Sequence, residues 1–259
     1  MRQLHIIDSG LLGAEENMEI DRDLLCSLDE RPLLRFYGWR APSITYGHFI
    51  KPEDLLDLNE IQKAGWEIAK RPTGGGIIFH CWDFTFSFLL PSSHPFFSEH
   101  TLNNYAFVHN ILAESLHEIA GLDKVSLLQK ADVTKDVQRE NFCMAQPTVY
   151  DLVLQGKKVA GAAQRKTKKG YLHQGSISLE CPDFDIIDRF LVGEEDLAAK
   201  ILETTFPLNS VMKKENISQF LKTSLMEVFS ATLDSSYAES RSQTVDASTS
   251  DKHDRSKRI

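Results

Sequence analysis

Two stretches of the chain combine residue types suited to chemistry. In the first, Arg71-Pro72-Thr73-Gly74-Gly75-Gly76 runs on to His80. Without Cβ atoms, a glycine triplet can take positive φ and approach a ligand closely. The backbone N–H groups of such a turn suit anions and carbonyl oxygens. Arg71 adds a forked cation at the mouth of the loop, and His80 adds a polar group beyond it. The plain alternative is a turn or bulge between two strands. In the second stretch, fifteen positions separate Cys143 from Lys158. A thiol beside an ammonium has a lowered pKa and a larger thiolate fraction, and the thiolate is the nucleophile. Cys143 lies in a polar, irregular segment from Asp132 to Gln146. Lys158 opens Val159-Ala160-Gly161-Ala162-Ala163-Gln164, whose small side chains leave room for a ligand against the backbone. Free cysteine is most often a small buried hydrophobe. Cys26 is accordingly expected in a helix core, with Cys81 and Cys181 structural.

Other chemistries find no support in the sequence. There is no C-x-x-C pair or zinc spacing, and no G-x-x-x-x-G-K-[ST], helix-opening G-x-G-x-x-G or H-E-x-x-H. No metal site is expected. A net charge of −8 over 259 residues argues against general nucleic-acid binding. No apolar run approaches the ~20 residues that span a bilayer, and residues 1–5 lead into a short strand without a signal-peptide core. The expectation is a cytoplasmic protein with reduced thiols. Lys157, Lys158, Arg165, Lys166, Lys168 and Lys169 form a basic run. It reads either as a solvated hairpin tip or as a docking surface for an acidic carrier protein.

The elements that must position these residues follow from pattern. A helix is predicted over Ala14 to Leu28, strands over Leu33 to Gly38 and Ser43 to Gly47, and one short helix from Pro52 to Gly65. Strands from Trp66 to Lys70 and from Gly76 to Leu90 flank the glycines, the latter alternating through Phe84-Thr85-Phe86-Ser87-Phe88. A long helix is predicted over Leu102 to Ile119. Strands follow at Thr148 to Leu154, Val159 to Gln164 and Tyr171 to Leu179, with Gln155-Gly156 as a hairpin turn. Without regular βαβ alternation, the fold class is α+β, with a mixed, largely antiparallel sheet flanked by helices. The domain reading is 1–190 catalytic, 191–234 a C-terminal helical extension, and 235–259 a polar disordered tail.

Together these residues resemble the lipoate-protein ligase and octanoyltransferase superfamily, whose catalytic domain is shared with biotin-protein ligases. The resemblance rests on Leu34 to Trp39, the Arg71 to His80 loop, Thr85-Phe86-Ser87, Gly156 to Gln164 and His173-Gln174-Gly175-Ser176-Ile177, with Glu16-Asn17-Met18 similar to the family's first helix. It implies a tunnel for an eight-carbon acyl chain. Gly74, Gly75 and Gly76 would wrap the acyl group. Lys158 would donate to the acyl carbonyl or acyl phosphate, and Arg71, His80 and His173 would line the pocket. Arg35, Gly161, Gln164 and Gly175, inside the matching motifs, are further substrate-binding positions. Cys81 stands where the family usually has an acid, and Pro72 where a larger residue is common.

Phe142-Cys143-Met144-Ala145-Gln146-Pro147-Thr148-Val149-Tyr150-Asp151 resembles the cysteine-bearing segment of the octanoyl and lipoyl transferases. That branch implies Cys143 and Lys158 as catalytic residues and no cofactor. The donor would be an acyl carrier protein or lipoyl carrier protein, and the acceptor a lipoyl-domain protein. The alternative is an ATP- and Mg2+-dependent lipoate-protein ligase working through lipoyl-adenylate. A non-catalytic acyl-binding protein is a third class. Nucleic acid and membrane are not expected partners.

Overall fold

In a computed structural model, residues 3–117, 122, 124–129, 142, 148–193, 196–213 and 216–234 are described. Strands β1 (His5–Leu12), β2 (Leu33–Trp39), β6 (Asp83–Pro91), β7 (Ser126–Leu127), β8 (Leu152–Leu154), β9 (Lys157–Thr167) and β10 (Gly170–Ser178) form one sheet, ordered β1-β2-β6-β10-β9-β8-β7. Its only parallel pair among these strands is β1 with β2. A second sheet, ordered β4-β3-β5, holds β3 (Ser43–Tyr46), β4 (Glu67–Lys70) and β5 (Ile78–His80).

Period-two alternation in β6 separates two environments. Phe84, Phe86 and Phe88 join a core with helix α3 (Thr101–His117) and helix α6 (residues 216–234). Along α6, Ile217, Leu221, Leu225, Phe229 and Leu233 recur at intervals of four and form one buried stripe. Thr85 and Ser87 point the other way, toward α1 (Ala14–Ser27) and the small sheet, into a layer of buried polar groups.

Three local expectations change. The run Gly76 to Leu90 is two strands, because β5 pairs with β3 in the small sheet while β6 pairs with β2 and β10 in the large one. The crossing occurs at Cys81 and Trp82, where the Trp82 carbonyl accepts from the Leu179 and Glu180 N–H groups. The segment from Pro52 divides into a 3-10 turn at Pro52–Asp54 and α2 (Leu58–Lys63), because the Asp57 carboxylate caps the Asn59 and Glu60 N–H groups and starts a new helix. Residues 148–151 are a turn, with the strand confined to Leu152–Leu154.

Cys26, Cys81 and Cys181 are all exposed, so none is a core residue. Cys26 falls just outside the buried stripe of α1, next to the buried Leu25. The helical residues after 190 share the cores of the residues before it. Helix α5 (Leu197–Thr204) packs with Ile44, Phe79 and helix α4 (Phe184–Phe190), and α6 packs with Phe88. The expected tail, 235–259, lies outside the described residues. Among the described residues no helix is long and apolar enough to cross a membrane.

Candidate active site

The glycine loop leaves β4 and is shaped from within by Arg71. This side chain is buried; its Nη1 donates to the Thr45 carbonyl at 3.0 Å and to Thr45 Oγ1 at 2.9 Å, and its Nη2 to the Gly74 and Gly76 carbonyls at 3.1 and 2.5 Å. Arg71 is thus a clamp inside the loop, not a cation at its mouth. Gly75 sits at φ +83°, which strains any other residue. A Cβ on Gly47 would collide with the Gly75 carbonyl, so the loop is pressed against the chain after β3. Below it lie the small residues of β9. A Cβ on Gly75 would meet the Ala163 Cβ at 3.5 Å, and Arg165 Nη1 donates to the Pro72 carbonyl at 3.1 Å. A Cβ on Gly74 would meet nothing within 4 Å, so the loop is open there.

His80 stacks on Trp39 with ring centroids 4.1 Å apart. Its Nε2 lies 2.7 Å from Thr45 Oγ1 and its Nδ1 2.7 Å from Asp83 Oδ2, which also accepts from Ser176 Oγ at 2.6 Å. Because Arg71 donates to Thr45 Oγ1, the Thr45 hydroxyl hydrogen is available to His80 Nε2, and Nδ1–H donates to Asp83. Asp83, three residues after His80, is thus the carboxylate paired with its ring. A cavity of about 900 Å3 opens beside His80, walled by Leu11, Tyr37, Trp39, Asp83, Phe84 and Thr85 among others. That volume is within the range of small-molecule sites.

Arg35 does not reach a ligand. It is wholly buried, donating from Nε to Ser9 Oγ at 2.8 Å, from Nη1 to Asp21 Oδ1 at 2.8 Å and from Nη2 to Asn17 Oδ1 at 2.6 Å. Its role is to dock α1 on the sheet. Asp21 also accepts from Ser87 Oγ at 2.8 Å and Gln174 Nε2 at 2.7 Å, and Gln174 Oε1 accepts from Thr73 Oγ1 at 2.7 Å. The polar layer thereby runs from α1 to the glycine loop.

Lys158 is the one buried lysine of the basic run. Its Nζ lies 2.7 Å from Asp151 Oδ2, with the two side chains 1% and 0% exposed. Asp151 Oδ2 accepts from the Thr148 N–H at 2.7 Å and hydroxyl at 3.0 Å, and Oδ1 accepts from the Tyr105 hydroxyl. A Cβ on Gly161 would strike the Lys158 Cε and Nζ. Since Gly161 and Ala163 share a face, the ammonium lies on the side of β9 that meets the glycine loop. The rest of the basic run is largely used within the fold: Lys166 pairs with Glu99 at 2.7 Å, and Lys169 Nζ donates to the Cys26 carbonyl at 2.5 Å.

Gln174 and Ser176 face the glycine loop and Asp83, so His173 and Gly175 face the opposite side of β10. There His173 stacks with Phe86, and a Cβ on Gly175 would strike the Phe86 ring. Gln164 joins His173 on that side. Its amide oxygen accepts from His173 Nδ1 at 2.8 Å and its nitrogen donates to the Thr101 carbonyl at 3.1 Å. These three expected pocket residues therefore back the strand against α3. Around them, the Tyr105 and His109 rings meet at a tilt of 32° with centroids 4.2 Å apart.

Burial drives His109 down to about 3, with the nearby Lys158 charge acting in the same sense and the Tyr150 backbone opposing. Burial, then the neighbouring His109, holds His173 well below the usual histidine range. Both rings are therefore neutral in the folded chain, while in the unfolded chain they protonate near 6.5. Below that pH the unfolded state binds more protons. His109 should therefore cost stability steadily as pH falls from 6.5 toward about 3, at a slope of one proton, and His173 acts in the same direction. In urea titrations across that window, His109→Phe should flatten the slope by one proton.

Cys143 lies outside the described residues. Its chain neighbour Phe142 is buried and bridges Ile77, directly after Gly76. On the other side, Thr148 is bonded to the Lys158 counter-ion. Tyr105, Thr148 and Asp151 gather around Lys158 without having been singled out from sequence, although Thr148 and Asp151 close the segment that carries the resemblance. Only the Thr148-x-x-Asp151 spacing, typical of a hydroxyl-and-carboxylate turn, was a local signal for them.

Comparisons with known proteins agree with this architecture. An Octanoyltransferase LipM of Geobacillus kaustophilus is 34% identical over 67% of this chain and 64% of its own length. One of Halalkalibacterium halodurans is 31% identical over 73% of the chain and 71% of its own length. The chain thus spans a little under two thirds of the first of these relatives. Among solved structures, the bi-partite lipoate protein ligase of Thermoplasma acidophilum superposes with a TM-score of 0.69 at 20% identity, covering 90% of this chain and 85% of that one. The lipoate-protein ligase A bound with ATP gives 0.67 at 21% identity, covering 90% and 85%. Both likenesses establish the fold. The model of the lipoyl protein ligase A/B catalytic domain matches residues 13–235, which include the glycine loop, Cys143 and the Lys158 strand, and the chain belongs to that family.

Proposed function

We propose that this protein is an octanoyltransferase that moves an acyl group from a carrier-protein thioester to a lysine of a lipoyl-domain protein, through a thioester on Cys143. The observation that carries this reading is the buried Lys158 ammonium, lying over Gly161 beneath the glycine loop, with the residue preceding Cys143 bridged to the end of that loop. The identity to proteins named octanoyltransferase supports the same choice.

In the first half-reaction the Cys143 thiolate attacks the acyl carbonyl of the donor. A new C–S bond forms, the carrier's C–S bond breaks, and the carrier sulfur leaves as a thiolate that takes a proton from solvent. Exchange of one thioester for another is nearly neutral in energy, so neither ATP nor a metal ion is required. In the second half the neutral amine of the acceptor lysine attacks, loses its proton as the amide forms, and expels the Cys143 thiolate. Amide formation drives this half. Lys158 stabilises the oxyanion in both halves, with loop N–H groups as further donors. The cavity beside His80 is lined by neither the glycine loop nor Lys158, so the acyl chain is not assigned to it. A cytoplasmic location is part of the same proposal.

A donor comparison tests the reading. With octanoyl carrier protein and an apo lipoyl domain, the domain should gain one octanoyl mass without ATP, and free lipoate plus ATP should give at least a hundredfold less product. Equal or better transfer from free lipoate plus ATP would establish a ligase. No product from either donor would leave an acyl-binding protein.

A further inference from the structure

Lys158 carries its charge on a flexible four-carbon stem, so its use as a carbonyl donor depends on what holds it. Asp151 lies 2.7 Å from its Nζ, and the position of Asp151 is itself strongly determined. Its backbone N–H donates to the Thr148 carbonyl at 3.0 Å, and its carbonyl accepts from the Leu128 N–H at 2.9 Å. Its carboxylate takes both the N–H and the hydroxyl of Thr148 on one oxygen and the Tyr105 hydroxyl on the other. Between Thr148 and Asp151, Tyr150 sits at φ 70°, an unfavourable conformation for an aromatic residue that the turn nevertheless keeps.

Tyr105 comes from α3, a different element. The β8–β9 pairing ends at Leu152 opposite Ala160, and Ala162, two residues further along β9, donates its N–H to the Tyr105 hydroxyl at 3.0 Å. One phenol therefore ties α3, the edge of β9 and the carboxylate together. A buried ion pair of this kind is often no more stabilising than apolar residues of the same volume. Geometry is the better reason for it. Thr148 follows Cys143 by five positions in sequence, so the same carboxylate fixes the chain close after that cysteine.

We infer that Asp151 and Tyr105 are positioning residues for acyl transfer: Asp151 holds the Lys158 ammonium over Gly161, and Tyr105 holds Asp151 against the edge of β9. The inference rests on the reading in which Lys158 polarises the acyl carbonyl. Both act through Lys158 and not by binding the acyl group.

Single-turnover acylation by octanoyl carrier protein, followed by intact mass across a pH series, tests it. Tyr105→Phe should slow acylation by about tenfold or more, with half-saturation by the donor changed less than twofold, because a bond to a charged group is lost while the binding surfaces stay in place. Asp151→Asn should slow it by about a hundredfold. Asp151→Asn should also move the alkaline limb of the profile to lower pH, because a buried ammonium without its counter-charge is more easily neutralised. Thermal unfolding identifies variants that do not fold, and if Asp151→Asn is one of them, Tyr105→Phe decides. A wild-type adduct with an unchanged Tyr105→Phe rate, or an unmoved limb in folded Asp151→Asn, overturns this inference alone. A wild-type chain that takes no octanoyl group overturns it together with the transferase reading.

Discussion

Cys143→Ala is expected to lose octanoyl transfer by about 10^4-fold or more, the scale on which removal of a covalent nucleophile is felt. The reason is energetic. The acceptor amine and the donor thioester are carried by two different proteins, and a covalent intermediate lets each meet the site separately. The substitution leaves Phe142, Ile77 and the glycine loop untouched, so binding of donor and acceptor should change little. Steady-state transfer to an apo lipoyl domain provides the measurement, with the exposed Cys26, Cys81 and Cys181 replaced by serine in both proteins so that no other accessible thiol substitutes. Retention of more than a tenth of wild-type transfer would exclude a cysteine intermediate.

The second large effect is expected at Lys158 and Gly161. Lys158→Met keeps the stem and removes the charge. Losing one preorganised donor to a developing oxyanion typically costs ~10^2–10^3 in rate. The same change leaves Asp151 buried without its counter-ion, which costs about 3–5 kcal/mol of stability. Chemical denaturation should show that loss separately from the kinetics. Gly161→Ala approaches the same point from the other side. Gly161 is not among the glycines at positive φ, so alanine adds no backbone strain there. Its Cβ would occupy the place of the Lys158 Cε and Nζ. The ammonium must move, and transfer should fall by a similar ~10^2-fold. A fully active Gly161→Ala enzyme would mean that Lys158 works from another position.

These two positions also mark how much of the site could be read from sequence. The glycine triplet, Lys158 and the small residues of β9 were legible, because a missing Cβ has local consequences that composition reveals. The alternation of Phe84 to Phe88 was equally plain, since one face of β6 packs on α3 and α6. Arg35 shows the limit. An arginine in a strand gives no sign of whether its partner is a substrate or the protein, and here it is bound by Ser9, Asn17 and Asp21 from two other elements. A signal did exist on α1. Asn17 and Asp21 lie one helical turn apart, on the same buried face as Leu25, where polar residues need an internal partner.

The division of residues 76–90 into two strands was hidden for a different reason. Continuous apolar and alternating runs look alike at their junction, and the choice of partner, β3 or β10, is non-local. That His173, Gln164 and Gly175 face α3 was not legible, because the face of a strand depends on register. In β10 the register is fixed by Gln174 and Ser176, which reach the loop and Asp83. Tyr105 and Asp151 meet across 46 positions of sequence, beyond any local pattern.

The measurement that bears most directly on covalent transfer is the location of the acyl group. Wild-type protein is mixed with octanoyl carrier protein without acceptor, quenched in acid and mapped by peptide mass. The expected result is one octanoyl group on the peptide containing Cys143, released by neutral hydroxylamine. An octanoyl group found only on another residue, or acyl transfer that proceeds with Cys143 unmodified and requires ATP, would contradict it.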